Sequence, residues 1–303
     1  MSWVLITTRK QMYITLIVIA LALVFKVFRE EKIKDSIKRY LLTIGLMMSL
    51  IIIGNRVFEY AYSYYLYGEM GTHFNDNRFL TTVVFYVSEL DDGQYIEDEA
   101  VRQVFEKIYV VCDSEESMMH SANGNLLSRT QHFENHYDMI QIDHMWPEFE
   151  EYASAITTDG VGREAIVDEM SATIARSLIP HVWPKMIKVF LNNFLEGITN
   201  TIANVRLGVL YYYAIIMIIL YCVILNVHSR KYGCTPVAML GLLVFALLII
   251  NVISVAMLIF CQFRYMIYNM PLFYISFLIM IRELMVKRKA DEMNTFNGVN
   301  AIG

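Results

Sequence analysis

Apolar residues along the chain fall into five runs that are long enough to cross a bilayer, which needs roughly 20 residues. They cover residues 11–28, 40–62, 207–227, 237–260 and 265–282. The last run is short and contains Pro271, which a kink or a neighbouring helix can accommodate. The first has the outline of a signal peptide, but no convincing cleavage site follows it, so we favour an uncleaved span. The pattern predicts an α-helical polytopic membrane protein with about five transmembrane helices.

Between the second and third runs, apolar positions recur at intervals of three and four and predict a mainly α-helical domain. One amphipathic helix has an inner face of Val101, Val104, Phe105, Ile108 and Cys112. A second covers residues 162–178 and is expected to end at Pro180. A third begins at Trp183–Pro184 and lies either on the membrane surface or against a core; its polar positions include Lys185, Lys188, Asn192 and Asn193. Residues 79–87, rich in β-branched and aromatic side chains, are compatible with a buried strand or a helix.

Basic residues cluster in three short segments that flank the predicted spans. Twelve Lys and Arg residues lie between the first two spans, between the third and fourth, and after the fifth. With five spans, all three segments fall on one side of the membrane, and the positive-inside rule makes that side cytoplasmic. The sequence therefore predicts a multi-pass plasma-membrane protein with its N-terminus outside and its C-terminus in the cytoplasm.

Composition supports the membrane assignment. The 303-residue chain is 56% hydrophobic, has a mean hydropathy of +0.42 and contains only 18% charged residues. These values exclude an ordinary soluble domain and a disordered chain. Of the four cysteines, Cys112 alone lies between the second and third spans, which argues against a disulfide framework there.

The net charge of −5 hides a strong division along the chain. Residues 68–206 hold 23 acidic and 9 basic residues and carry a net charge of −14, whereas the remainder carries +9. We call residues 68–206 the acidic domain and expect it to be extracytoplasmic. The other predicted domains are residues 1–67 with two spans, 207–286 with three spans, and the cytoplasmic tail 287–303.

Two sets of side chains in the acidic domain are candidates for chemistry. Asp91 and Asp92 precede a predicted turn, and glycosyl transfer or hydrolysis needs one or two carboxylic acids; an ordinary solvated turn explains the same pair. His132 and His136 share a helix face, as two zinc ligands would. Phe133 stands where zinc proteases carry their catalytic glutamate. No metal site is therefore assigned, and solvated polar residues on an acidic surface are the alternative.

Charged residues near the outer ends of the spans are candidates for binding a lipid phosphate. Arg56 and Glu59 are three residues apart in the second predicted span and can pair on one helix face. Arg264 stands at the outer end of the fifth span, where a guanidinium can bind a lipid-linked phosphate or extend to the headgroups. The tyrosines around these ends are explained by an aromatic belt at the membrane interface.

The segment CQFRYMIYNMP at residues 261–271, followed by an apolar span, resembles the final Arg-Tyr…Pro span of a known enzyme family. This family comprises the bacterial polytopic glycosyltransferases that use a polyprenyl-phosphate sugar, of the protein mannosyltransferase and aminoarabinose transferase type. The segments DGQYIED at 92–98 and ENHYD at 134–138 are similar to uncharacterised clostridial membrane proteins. The family's catalytic acid, in the first outer loop of a chain with more spans, has no counterpart in this sequence.

The resemblance implies a cell-envelope protein that handles a polyprenyl-phosphate-linked sugar, as a divergent glycosyltransferase or as the C-terminal part of one. Arg264, Arg56 and Glu59 then bind the lipid phosphate, and the partners are the bilayer and a polyprenyl-linked glycan. The alternative is a non-catalytic envelope scaffold or sensor whose acidic domain binds a partner. Whether the chain is an enzyme stays open; no cofactor and no nucleic-acid partner are expected, and no oligomeric state is assigned.

Overall fold

The computed structural model describes residues 77–233 and 235–300, with side chains up to residue 289 apart from that of Leu207. Between residues 42 and 65 it describes scattered positions, each of which is helical. The predicted first span and Glu59 lie outside the described residues. The described chain divides into two compact units. The first comprises residues 77–196 with Ile253–Gln262, and the second comprises Gly197–Val252 with residues 263–300.

The described residues form helices and no strand, which confirms the α-helical prediction. Residues 79–87 lie in helix α1 (Asn77–Val87), and residues 81–87 are all buried. A helix that is covered on every side can be apolar all round. The β-branched and aromatic residues of this segment therefore reflect its burial and not a strand.

The remaining helices of the acidic domain follow α1 with short connections. They are α2 (Glu99–Ser114), α3 (Leu126–Asp138), α4 (Trp146–Ile156) and α5 (Gly160–Ile202). The 3₁₀ turns Leu90–Tyr95 and Met119–Ser121 lie before and after α2. A π-helical turn, Met139–Met145, joins α3 to α4.

Helix α2 forms much as its sequence predicts. Asp98 caps it by accepting hydrogen bonds from the backbone N–H groups of Ala100 and Val101 at 2.9 and 3.1 Å. Its buried face includes Val101, Phe105, Ile108 and Cys112. Phe105 packs edge-on against Phe85, with ring centroids 5.0 Å apart, and so joins α2 to α1 in the core of the first unit.

Helix α5 is one continuous helix of 43 residues, and the prediction of two helices separated between Pro180 and Trp183 is wrong. Both Pro180 and Pro184 lie inside it. An internal proline removes a backbone hydrogen bond and usually ends or kinks a helix. Here Leu178 and Val182, on either side of Pro180, are at most 1% exposed. Their burial in the core outweighs the local proline signal.

Three helical segments among the described residues are long and apolar enough to cross a membrane. They are α6 (Val209–Tyr232), α7 (Pro236–Ala256) and the segment Phe263–Lys289. The last contains helix α8 (Phe263–Met266), a 3₁₀ turn (Ile267–Asn269) and the start of helix α9 (Met270–Asn300). These segments coincide with the predicted third to fifth spans and support a membrane protein, while the first two spans stay predictions. Pro271 is the second residue of α9, where its missing N–H group needs no intrahelical partner.

Close packing of the spans in the second unit depends on Gly241 and Tyr221. The Tyr221 hydroxyl donates a 2.8 Å hydrogen bond to the carbonyl oxygen of Gly241, which joins α6 to α7. The Tyr221 ring stacks on Phe273 of α9 with centroids 4.7 Å apart. A Cβ atom at Gly241 would lie 2.6 Å from Sδ of Met280, so a larger residue would displace the Met280 side chain from its buried position.

The segment Ile253–Gln262, which runs from the end of α7 to α8, packs against α3 in the first unit. Tyr137 donates a 3.1 Å hydrogen bond to the carbonyl oxygen of Leu258, and the Tyr137 and Phe260 rings meet edge-on at 5.3 Å. The buried carboxylate of Glu134 accepts a 2.5 Å hydrogen bond from Nε2 of Gln262. The apolar pattern predicts a span end near this segment but does not indicate its contact with α3.

Candidate ligand-binding cavity

A cavity of about 440 Å³ lies in the first unit, lined by the end of α1, the start of α3 and the middle of α5. This volume is within the range of small-molecule sites in proteins. Its apolar lining includes Val87, Met119, Phe133 and Val189. Its polar lining includes Glu89, His120, Arg129, Lys185, Lys188 and Asn193. The cavity therefore combines an apolar wall with a group of mainly basic side chains.

The start of α3 places two lining residues on the same side of that helix. Asn125 caps the helix by accepting a 2.9 Å hydrogen bond from the backbone N–H of Ser128. Arg129 and Phe133 follow at an interval of four, so their side chains lie one above the other. Phe133 is 1% exposed and contributes apolar wall, whereas Arg129 is half-buried and contributes charge.

The middle of α5 supplies further polar groups to the cavity lining, in addition to Arg129 from α3. Lys185, Lys188, Val189 and Asn192 recur at intervals of three and four and therefore share one face of the helix. Asn193 follows at the edge of this face and also lines the cavity. Because α5 continues through Pro184, these side chains are carried by the same rigid element as the buried residues before it.

Two of the cations on the cavity wall have no carboxylate partner in the part of the chain that the structure describes. Nζ of Lys185 lies 2.6 Å from Oε1 of Glu89, and the hydrogen bond from Lys185 lowers the pKa of Glu89. Arg129 and Lys188, by contrast, form no ion pair with any residue that the structure describes. Uncompensated positive charge in a domain with a net charge of −14 makes this cavity electrostatically distinct.

Asn193 is the second unusual feature of the cavity. It is 1% exposed, and within the described part of the chain neither its Oδ1 nor its Nδ2 has a hydrogen-bond partner. Leaving a buried polar group unpaired costs about 1–3 kcal/mol, so native proteins keep few of them. Neither atom is accessible to water in the structure, so a ligand in the cavity would reach this amide only when the side chain rotates towards it.

His132 and His136 lie in a hydrogen-bonded network that includes a cavity residue. The hydroxyl of Tyr86, which lines the cavity, lies 3.0 Å from Nδ1 of His132, and Nε2 of His132 lies 3.0 Å from the carbonyl oxygen of Glu116. Nδ1 of His136 lies 2.8 Å from the carbonyl oxygen of His132. Burial lowers the pKa of His132. Among the residues with described positions, no group of three or more His, Cys, Asp or Glu side chains could hold a metal ion.

The two carboxylates proposed for catalysis lie in the 3₁₀ turn Leu90–Tyr95. Oδ2 of Asp92 accepts a 2.8 Å hydrogen bond from the backbone N–H of Glu89 and so caps the turn. Asp91 is exposed in the first turn of the same element. The structure thus gives Asp92 a structural role, and a catalytic role for either residue stays a prediction.

Arg264 is exposed and held against its neighbour in the second unit. Its Nη2 donates a 2.9 Å hydrogen bond to the hydroxyl of Tyr265, and its guanidinium carbon lies 4.8 Å from the centroid of that ring. Arg56 is exposed at a helical position. Because Glu59 lies outside the described residues, the pairing of Arg56 with Glu59 stays a prediction.

The cavity itself is absent from the expectations drawn from the sequence. In the sequence, Lys188 and Asn193 are polar positions of a predicted helix, but their spacing does not indicate a ligand site. One signal was available, since Arg129 and Lys188 are two of nine basic residues in a strongly acidic segment. Only the fold brings α3 and α5 together around the same space.

Comparison with known proteins returns no match to a family model, a curated protein or a solved structure. The resemblance to polyprenyl-phosphate-sugar glycosyltransferases therefore stays a prediction from residues 261–271. The geometry of the cavity is the observation from which a function can be inferred.

Proposed function

We propose that this chain is a membrane-anchored binding protein whose acidic domain holds a small organic anion in the cavity. The observation that carries the proposal is Asn193, a buried amide on the cavity wall with neither polar atom paired among the described residues. Arg129 and Lys188 attract negative charge to the same space. Phe133 and Val189 provide apolar contact for the rest of the ligand.

The proposal places the acidic domain on the outer side of the plasma membrane. Three apolar helices support anchoring in a membrane. The basic segments that flank the predicted spans favour a cytoplasmic C-terminus, and a domain between the second and third spans is then extracytoplasmic. In this position the cavity samples ligands outside the cell.

The cavity supports binding better than acid–base chemistry. A general acid or base works best when its pKa lies near the working pH. The carboxylate on the wall, Glu89, has a pKa lowered by Lys185, so it remains an anion that accepts hydrogen bonds. A non-catalytic receptor or scaffold is therefore the leading interpretation.

A divergent glycosyltransferase that handles a polyprenyl-phosphate-linked sugar is the second candidate. The exposed guanidinium of Arg264, oriented by Tyr265, favours it because the charge is open to a lipid phosphate. Arg264→Ala is then expected to abolish binding of the lipid-linked sugar by the purified protein, while Arg282→Ala on α9 leaves it intact. Unchanged binding in Arg264→Ala would rule out this role for the residue.

Mass spectrometry of the ligand that co-purifies with the full chain tests the leading proposal. The protein is purified in detergent and denatured, and the released small molecules are identified. Wild-type protein is expected to release one anionic compound. Ala122→Trp, which adds bulk at a half-buried position of the cavity wall, is expected to release none.

Ala100→Trp is the matched control for added bulk. Ala100 is also half-buried, but it lies in the first turn of α2 and does not line the cavity. This variant is expected to release the same compound as the wild type. Equal release from both variants, or no anionic compound from the wild type, would contradict the proposed function.

A further inference from the structure

The charges on the cavity wall indicate the charge of its ligand. Two of the four basic lining residues are already paired, namely Lys185 with Glu89 at 2.6 Å and His120 with Asp113 at 2.9 Å. Arg129 and Lys188 have no ion-pair partner among the described residues. The wall therefore offers two uncompensated positive charges, although the surrounding domain is strongly acidic.

Two positive charges match a phosphomonoester better than a carboxylate. A phosphomonoester carries a charge of about −1.5 to −2 at neutral pH and presents three strong acceptor oxygens. The guanidinium of Arg129 can bind two of these oxygens at once, and the ammonium of Lys188 acts as a point charge. A carboxylate carries one charge and would leave one of the two cations uncompensated.

The other lining residues indicate the chemistry of the organic part of the ligand. The amide of Asn193 offers one acceptor and two donor hydrogens, and it is 1% exposed. A hydroxyl or amide group on the ligand would pair with it. Phe133 and Val189 lie on the same wall and favour a body with at least one apolar face.

We infer that the cavity binds a phosphomonoester whose small organic body carries a hydroxyl or amide group. This inference rests on the proposed function, because it names the ligand class of the same cavity. Arg129 and Lys188 bind the phosphate, and Asn193 hydrogen-bonds to the body once its side chain has rotated towards the cavity. The phosphomonoester belongs to a soluble metabolite or to a lipid headgroup, and the contacts required are the same for both.

Titration with inorganic phosphate tests the anion site on the purified full chain. Phosphate is expected to raise the melting temperature saturably, whereas acetate at the same ionic strength does not. Arg129→Gln and Lys188→Gln are each expected to weaken the phosphate Kd by about tenfold or more, since each removes a charge-assisted hydrogen bond. Arg176→Gln, a change at an exposed cation of α5 paired with Glu169, is expected to bind like the wild type.

The two cavity variants lie on different helices, so one folding defect cannot explain both results. Their melting temperatures without phosphate are expected to be close to that of the wild type, because neither cation has an ion-pair partner to lose among the described residues. An equal response to acetate, no response to phosphate, or an unchanged Kd in both variants would overturn the inference.

Two further binding measurements identify the source of the phosphomonoester. Saturable binding of glycerol 3-phosphate in detergent supports a soluble ligand, and binding only in nanodiscs that contain phosphatidic acid supports a lipid headgroup. The identity of the released compound tests the ligand class separately from the proposed binding function. A compound without phosphorus that is lost in Ala122→Trp overturns the ligand class alone, whereas a compound retained in Ala122→Trp overturns the proposed function as well.

Discussion

Nζ of Lys185 lies 2.6 Å from Oε1 of Glu89, and this ion pair joins α5 to the second residue after the end of α1 in the cavity wall. Both side chains are substantially exposed, at 39% and 63%. Pairs of this kind contribute at most about 1 kcal/mol to stability. The main effect of the pair is therefore on the charge of the cavity, where it removes Lys185 from the groups that can attract an anion.

Replacing Glu89 with glutamine is expected to strengthen phosphate binding. The change releases Lys185 and raises the positive charge of the cavity by one unit, so we expect the Kd to fall by about two- to tenfold. Isothermal titration of the purified chain measures this, with Glu97→Gln as the control at an exposed carboxylate that does not line the cavity. Weaker binding by Glu89→Gln would show that the carboxylate itself contacts the ligand.

His132 is expected to make the acidic domain less stable at acidic pH. Its pKa is lowered by burial in the fold, whereas its pKa in the unfolded chain is about 6.5. Below about pH 6.5 the unfolded state binds the proton more readily, so stability is lost as the pH falls towards the folded pKa. The melting temperature should therefore drop more in the wild type than in His132→Gln between about pH 7.5 and about pH 5.

Gln131→Ala provides the control for this pH dependence, since it changes the neighbouring residue without removing a titratable group. It is expected to follow the wild-type profile, because His132 is retained. Parallel profiles for the wild type and His132→Gln would contradict a His132 pKa that is lowered by partial burial.

Phe105 is expected to be a major contributor to the stability of the first unit. It is 0% exposed and packs on Phe85. Phe105→Ala should lower the free energy of unfolding by about 3–5 kcal/mol, whereas Val110→Ala at a 57% exposed position of the same helix should change it by about 0.5 kcal/mol or less. Urea unfolding of the full chain, followed by tryptophan fluorescence, measures both. Similar losses in the two variants would contradict the assignment of this core.

A leucine at Gly241 is expected to destabilise the second unit. Gly241→Leu places carbon atoms where Sδ of Met280 lies, 2.6 Å from the position of a Cβ. Overpacking of this kind costs about 1–3 kcal/mol, so the melting temperature in detergent should fall. Leu240→Ala changes the neighbouring residue, which is 40% exposed, and is expected to have a smaller effect. Equal melting temperatures for Gly241→Leu and the wild type would exclude the close packing of α7 on α9.

The sequence predicts the elements whose signals are local. The length of the apolar runs is enough to locate α6, α7 and the segment Phe263–Lys289. The spacing of apolar residues at intervals of three and four is enough to locate α2, with Phe105 on its inner face. Where burial and local propensity disagree, sequence reasoning fails. Pro180 favours a helix end, but the buried residues around it keep α5 continuous, and residues 79–87 read as a strand or a helix because they are covered on all sides.

The cavity could not be predicted because it depends on contacts between distant segments. Arg129 and Asn193 are 64 positions apart and belong to different helices. Their chemistry becomes informative once the fold shows that one lacks an ion-pair partner and the other lacks a hydrogen-bond partner among the described residues. Residue type alone indicates other candidates, and one of them, Asp92, caps a turn in the structure.

Asn193→Leu tests the central claim most directly. If the buried amide is retained for a ligand, its replacement by an apolar residue of similar size removes an unpaired polar group and should raise the free energy of unfolding of the ligand-free protein by about 1–2 kcal/mol. The same variant should lose the co-purifying anion that the wild type carries. A variant that is less stable than the wild type and still carries the anion would contradict the assignment of Asn193 to a ligand site.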